Sequence, residues 1–367
     1  MRKSLRTWVE LSRSALLWNF GQFQQFFAGQ AKICPVVKAN AYGHDLAWVG
    51  KTLAKSQIWG FCVAYDTEAQ ALRQLVKDRP ILVMSAWQSE NLPQLIRHGV
   101  RLVVWDLDAA RIVAQAARPT NRKAFVHVKI DTGTSRLGTA PNKLIPLRSF
   151  LSRSAEIEVE GVFSHLAESE ADDLSFTKRQ LQHFLEAAAN FDVPLRHIAC
   201  TAASLRLPLK GTNLVRLGIG LYGLWPSAAT KKTISGLTLK PVLAWKTRVL
   251  QVKTVPASTA IGYERTFITK RRTKIVTLPI GYADGYDRQG SNKSKVVIDG
   301  VLCPVVGRVG MNLIMADATG VRNVHSGSLT TLIGEGITAD QLAQSWGTIH
   351  YEVVSRINSH IPRLEVP

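Results

Sequence analysis

From residue 33 to about 225, short apolar runs rich in Val and Ile alternate with polar turns. Between them lie stretches whose apolar residues recur at helical spacing. The runs predict strands at 33–37, 59–64, 81–84, 102–105, 125–130, 159–164, 197–200 and 214–219, and the longer stretches predict helices such as 66–76, 89–97, 108–117 and 174–190. Near-continuous apolar strands separated by helices imply a parallel sheet covered by helices. Eight such units favour a closed barrel over an open, doubly wound sheet. After about residue 235 the rhythm changes to strand-like runs with tight turns, including "SKVVIDGVLCPVVG", whose Asp299-Gly300 is a hairpin signal. Short helices are expected near 339–346 and 350–360. The chain therefore reads as α/β, with an N-terminal (β/α)8 TIM-like barrel at 1–232 and a C-terminal mainly β domain at 233–367. The stretch 223–236 is the expected linker.

Composition narrows the class. Of 367 residues, 46% are apolar and 20% charged, as in a globular protein with ample core. No apolar run reaches the ~20 residues of a membrane-spanning helix. The basic start, "MRKSLRTWVELSRSALLWNF", lacks an uninterrupted apolar core and a small-residue cleavage site, so a cytoplasmic location is expected. Cys34, Cys62, Cys200 and Cys303 are scattered without a C-x-x-C pair, which reads as reduced thiols rather than a disulfide frame or zinc site. Net charge is +19, from 46 basic and 27 acidic residues. Its densest cluster, "TKRRTKI" at 269–275, reads as a solvated turn between strands, and charge alone does not establish a specific nucleic-acid partner.

In barrels of this kind the active site lies at the carboxyl ends of the strands. The chemically distinctive residues fall there. Lys38 follows the first strand, Lys129, Asp131 and Arg136 the fifth, and His165 the sixth. Thr201 follows the seventh, and Arg216, Gly218 and Ile219 lie on or after the eighth. The loops after the last two strands, "ACTAAS" and "RLGIGLYG", suit a phosphate held by backbone N–H groups. A lysine at the same mouth suggests pyridoxal 5'-phosphate bound as an imine.

Seven motifs, "VVKANAYGHD", "VKIDTGTSRLG", "RLGIGLYG", "IGYERTF", "LPIGYADGYDR", "VGRVGMN" and "IHYEVVSRINSHIPR", together resemble the bacterial alanine racemase family, in order and across both halves. The resemblance implies a pyridoxal-phosphate enzyme interconverting L- and D-alanine for peptidoglycan. It also implies a head-to-tail homodimer in which the β domain completes the partner's site. Lys38 matches the imine-forming lysine and one of two bases, and Tyr263 matches the opposite base, reaching across from the other subunit. His165 and Arg216 match a hydrogen-bond chain that tunes that tyrosine, and Arg216 matches the arginine facing the pyridine nitrogen. Tyr42, Thr201, Gly218, Ile219 and Tyr351 match cofactor contacts. Arg136, Met311 and Tyr282 match substrate or entrance residues, and Lys129 matches a lysine carbamylated in many members.

Three positions depart from the family pattern: Cys200 where asparagine is common, Asn312 where aspartate is common, and Asp45 in place of a glycine. Aspartate tolerates a left-handed backbone, so the turn at Asp45 is expected to survive. Rival readings are a racemase for serine or another small amino acid, a barrel-type decarboxylase, and a cofactor carrier without turnover. The β domain bearing Tyr263, Tyr282 and Met311 argues against the carrier, and Arg216 with two opposed bases argues against the decarboxylase.

Overall fold

The computed structural model describes residues 5–367, which form two compact units. One comprises Ala15–Ala41 and Leu46–Lys240; the other comprises the chain up to Ser14, Tyr42–Asp45 and Pro241–Pro367. The division falls after Lys240 rather than at the expected 232/233. The first strand, β1 (Thr7–Ser12), lies in the β unit, because its ladder partners are far away in sequence.

Eight parallel strands follow: β2 (Lys32–Pro35), β3 (Phe61–Tyr65), β4 (Ile81–Ala86), β5 (Val100–Val104), β6 (Ala124–Lys129), β7 (Ile157–Phe163), β8 (Leu195–His197) and β9 (Leu214–Leu217). β3 to β8 are neighbours in chain order, and β2 pairs with β9. Backbone bonds close the circle. Trp59 N donates to Ile33 O and Val37 N to Cys62 O between β2 and β3, while Asn213 N donates to Arg196 O and Arg216 N to Ala199 O between β8 and β9. The barrel is thus the fold the apolar rhythm predicted, with each strand within a few residues of its expected place.

Helices such as Asp66–Leu75 and Leu107–Ala117 cover the barrel, burying Ala69 and Leu72 in the first and Ala109, Val113 and Ala117 in the second. Their starts are set by carboxylates. Asp106 accepts from Ala109 N, and Glu68 accepts from Ala64 N and Tyr65 N. The expected linker is not simply extended. It contains the helix Ala228–Thr233, capped by Ser227, with Thr230 fully buried.

In the other unit, β1 pairs antiparallel with β10 (Leu243–Arg248). β11 (Gln251–Val255), β12 (Ala260–Ile261), β13 (Phe267–Ile268) and β14 (Thr273–Leu278) follow, then β15 (Lys295–Ile298), β16 (Val301–Pro304), β17 (Ile314–Asp317), β18 (Leu329–Ile333) and β19 (Arg363–Val366). The main sheet runs β16-β15-β18-β10-β1-β19, beside a three-stranded sheet β11-β14-β17. β15 and β16 form the predicted hairpin across Asp299 (φ 46°) and Gly300 (φ 80°), both in the left-handed region that a tight two-residue turn requires. The expected helices appear as Ala339–Trp346 and His350–Ser355. No helix among the described residues is long and apolar enough to cross a membrane.

Candidate active site

Lys38 follows two buried valines at the carboxyl end of β2, and the next four residues are left-handed: Ala39 (φ 53°), Asn40 (52°), Ala41 (54°) and Tyr42 (54°). For non-glycine residues this costs roughly 1–2 kcal/mol each, so the turn must be held from outside. Glu68 Oε1 accepts from Ala39 N at 2.6 Å, Asn40 Oδ1 accepts from Leu46 N at 2.8 Å, and Ala41 N donates to Val37 O. Strain of this kind concentrates at functional positions. The Lys38 amine sits below its ordinary pKa, first because of burial and then because of Arg136, with Glu68 opposing and Arg216 adding to the depression. A lysine held toward its neutral form is a nucleophile and a base.

Lys129 ends β6 and is almost wholly buried, its Nζ 4.4 Å from the centroid of the Phe163 ring. Burial, then Arg216 and Arg136, push this amine well below its usual range. The following loop is shaped by Asp131, whose Oδ1 accepts from the backbone of Gly133, Thr134 and Ser135. Arg136 lies at the end of that turn. His165, after β7, is driven well below the usual imidazole range by burial and then by Arg216, Lys129, Arg136 and Lys38. It is a neutral ring near neutral pH.

Arg216 on β9 is 4% exposed. Its Nη1 donates to His197 Nδ1 (2.8 Å) and His197 O, and its Nη2 donates to Ser164 O (2.8 Å), Ile198 O and, at 3.4 Å, His165 Nδ1. Thr201 Oγ1 accepts from Gly218 N (3.2 Å) and Gly220 N (3.4 Å). At Gly220 a Cβ would lie 2.6 Å from both Phe23 Cζ and Thr201 Cγ2, so only glycine fits. Ile219 is buried beside it. Cys200 Sγ lies 3.3 Å from Ser169 Oγ.

Lys38, Lys129, Arg136, His165 and Arg216 thus form one electropositive cluster beside a hydroxyl and backbone amides. That donor set fits a ligand with phosphate and phenolate oxygens and an aldehyde for the amine to attack. Among the described residues no His, Cys, Asp and Glu group is arranged to hold a metal ion.

The β unit carries the remaining candidates. The rings of Tyr42 and Tyr351 lie 6.3 Å apart, and Arg363 anchors the adjacent Gly43 carbonyl. Asp45 is left-handed (φ 69°), as expected. Tyr263 is 73% exposed and Met311 57%, and Tyr282 is also exposed. Their loops are tied together: Arg308 bonds Glu264, while Tyr282 N and Ala283 N donate to Gly310 O and Met311 O.

Comparison with known proteins places the chain in a family. The family model "Alanine racemase, N-terminal domain" matches residues 11–226, and "Alanine racemase, C-terminal domain" matches 242–365. The chain belongs to the alanine racemase family. An alanine racemase of Halothermothrix orenii is 36% identical over 366 residues, covering 97% of this chain and 96% of that one. The solved alanine racemase of Clostridium difficile 630 superposes with a TM-score of 0.94 at 32% identity, covering 99% of this chain and 96% of that chain. The Bacillus anthracis alanine racemase with bound L-Ala-P superposes with a TM-score of 0.92 at 31% identity, covering 99% and 95%.

For an alanine racemase, the barrel unit gathers the expected Lys38, Lys129, Arg136, His165 and Arg216, with Thr201 against Gly218 and Gly220. The β unit displays Tyr263, Tyr282 and Met311 on its surface. Sequence reasoning missed His197 and His127, although His127 lies two residues before Lys129 on a barrel strand and so shares its face.

Proposed function

We propose that Lys38 and Tyr263 are the two opposed bases of the reaction this chain catalyses. As a member of its family it is a pyridoxal-phosphate-dependent isomerase that interconverts L- and D-alanine, and the family's general role is to supply D-alanine for peptidoglycan. When bound, pyridoxal phosphate withdraws electrons from the substrate α-carbon and so acidifies its C–H bond. Lys38 Nζ would hold the cofactor at its aldehyde carbon, and the free amine would exchange a proton on one face of the α-carbon. The Tyr263 phenol, from a second copy, exchanges a proton on the other. Racemisation needs both exchanges, because removal and return on one face only restores the starting enantiomer.

Arg216 would hold the cofactor's ring nitrogen. A guanidinium is an obligate donor, so it offers N–H without surrendering a proton. That moderates the electron sink and disfavours protonation on the cofactor instead of the substrate. Thr201, Gly218 and Ile219 of the barrel unit would hold the phosphate end and Arg136 the substrate carboxylate, while by family resemblance Tyr42 and Tyr351 would be further cofactor contacts. In the partner's site Tyr282 would line the entrance and the Met311 backbone would contact the substrate, and Tyr351 would disfavour bulky side chains. The depression of the Lys129 amine favours its neutral form, which reacts with carbon dioxide and loses a proton to give a carbamate that would orient Arg136. We place the enzyme in the cytoplasm as a head-to-tail homodimer. The exposed Tyr263, Met311 and Leu313, which need a cover, support the dimer.

The observation that carries the residue assignment is the Lys38 amine, held at a strained strand end beside Arg216. Purified protein is expected to form D-alanine from L-alanine, faster than it racemises serine. Wild-type protein that binds pyridoxal phosphate yet forms no D-amino acid overturns the reading.

A further inference from the structure

Arg216 is the end of a longer chain of polar groups, contributed one each by five consecutive barrel strands. Arg216 Nη1 on β9 meets His197 Nδ1 on β8 at 2.8 Å. His197 Nε2 meets His127 Nδ1 on β6 at 2.8 Å, and His127 Nε2 meets Glu160 Oε2 on β7 at 3.1 Å. Glu160 is in turn gripped by both Nε and Nη2 of Arg101 on β5, each at 2.9 Å. Both imidazoles are fully buried.

The direction of every bond follows from one fact. Arg216 has only N–H groups to offer, so His197 Nδ1 must accept. A neutral His197 then carries its proton on Nε2 and donates to His127 Nδ1. His127 likewise carries its proton on Nε2 and donates to the Glu160 carboxylate. Reversing any bond sets an N–H against an N–H somewhere along the line. Burial, then nearby cationic groups, lower both rings from the ordinary imidazole value and so favour their neutral forms, while the Glu160 carboxylate opposes this at His127.

The local fold serves the same arrangement. The β6–β7 register slips between Val126↔Val159 and His127↔Gly161, leaving Glu160 as the extra residue of a bulge. Bulges re-aim side chains beside functional sites. At Gly161 a Cβ would lie 2.7 Å from His127 Nδ1, so glycine makes room for the ring.

We propose that Glu160, acting through His127 and His197, is a positioning residue that holds Arg216 as a fixed hydrogen-bond donor toward the cofactor ring. The catalytic consequence rests on the role proposed for Arg216 above. The hydrogen-bond polarity does not, so the two ideas fail separately.

The test is ring-nitrogen NMR of histidine-labelled holoenzyme, combined with Glu160→Gln kinetics. Both His127 and His197 are expected as neutral Nε2–H tautomers from pH 6 to pH 9, with a coupling across the hydrogen bond between them. In Glu160→Gln either orientation of the amide sets its NH2 against an Arg101 N–H, because the oxygen that accepts from His127 also accepts from Arg101 Nε, so the anchor of the line loosens and the coupling between the two rings is expected to weaken. Outer-shell losses of this kind suggest a fall in kcat of about tenfold, with KM for alanine within about twofold, and Glu160→Asp should restore part of kcat. Wild-type signals showing an imidazolium or an Nδ1–H tautomer at either ring would overturn the proposal, and that result needs no variant to fold. A folded Glu160→Gln enzyme with an unchanged coupling between the rings and unchanged kcat would overturn it as well. Absence of racemase activity in wild type, with the tautomers as expected, would count against the proposed function alone.

Discussion

The role proposed for Lys38 depends on its neighbours as much as on its identity. A left-handed turn follows it, Glu68 and Asn40 hold that turn, and burial with Arg136 and Arg216 keeps the amine depressed. Lys38→Ala is expected to lose both the imine absorbance and measurable racemisation while still folding. Tyr263→Phe is expected to keep the absorbance and slow racemisation by roughly 10²–10⁴-fold, the usual weight of a general base. Glu160 has a distinct acid signature. Burial would raise its carboxyl, but hydrogen bonds from His127 and Arg101 bring it from 4.5 down to about 2. A carboxyl depressed by folding stabilises the protein above its unfolded value and loses that contribution as pH falls toward the folded value. The shift corresponds to about 3 kcal/mol. Glu160→Gln should therefore lower the urea midpoint clearly at pH 7 and much less at pH 3, and an equal drop at both would refute the assignment. Lys38, Arg216 and Tyr263 were legible as motif positions at strand ends and loops. Glu160 was not, because period-two alternation places it off the inner face and only the bulge turns it to His127.

The barrel strands were readable because parallel strands covered on both faces are apolar along their whole length; β9 is buried at every residue. β1 escaped because its six residues pair with β10 and β19 from the far end of the chain, and no local pattern encodes a ladder such as Thr7↔Thr247. The helix at Ala228–Thr233 escaped because six residues of Ala, Thr and Lys leave no stripe to see. At this scale the tightest element is the turn after β9. Gly220→Ala places a methyl against Phe23 and Thr201, and overpacking of that kind costs typically 1–3 kcal/mol. The expected result is weaker pyridoxal phosphate binding in a titration of the apoprotein, together with a lower melting temperature. Unchanged affinity would show that the Thr201 and Gly218 contacts do not form the phosphate cradle.

Across the whole molecule, the positive charge is dispersed. The cluster at 269–275 spans the turn between β13 and β14 and the start of β14, with Lys270, Arg271 and Arg272 exposed. The β unit instead displays an apolar set, Tyr263, Met311 and Leu313, on loops cross-tied by Arg308. Covering these groups with a second copy would bury them and deliver a phenol to the other site. Leu313→Glu is expected to shift sedimentation toward monomer and to reduce activity in proportion, without loss of the barrel's circular dichroism. A fully active monomer would refute the shared site. The most direct measurement mixes two inactive variants. Lys38→Ala and Tyr263→Phe subunits are exchanged, and the hybrid dimers are assayed for D-alanine formation. If each site takes its amine from one chain and its phenol from the other, every hybrid holds one complete site, and activity far above that of either parent returns. Hybrid dimers as inactive as their parents would contradict the account.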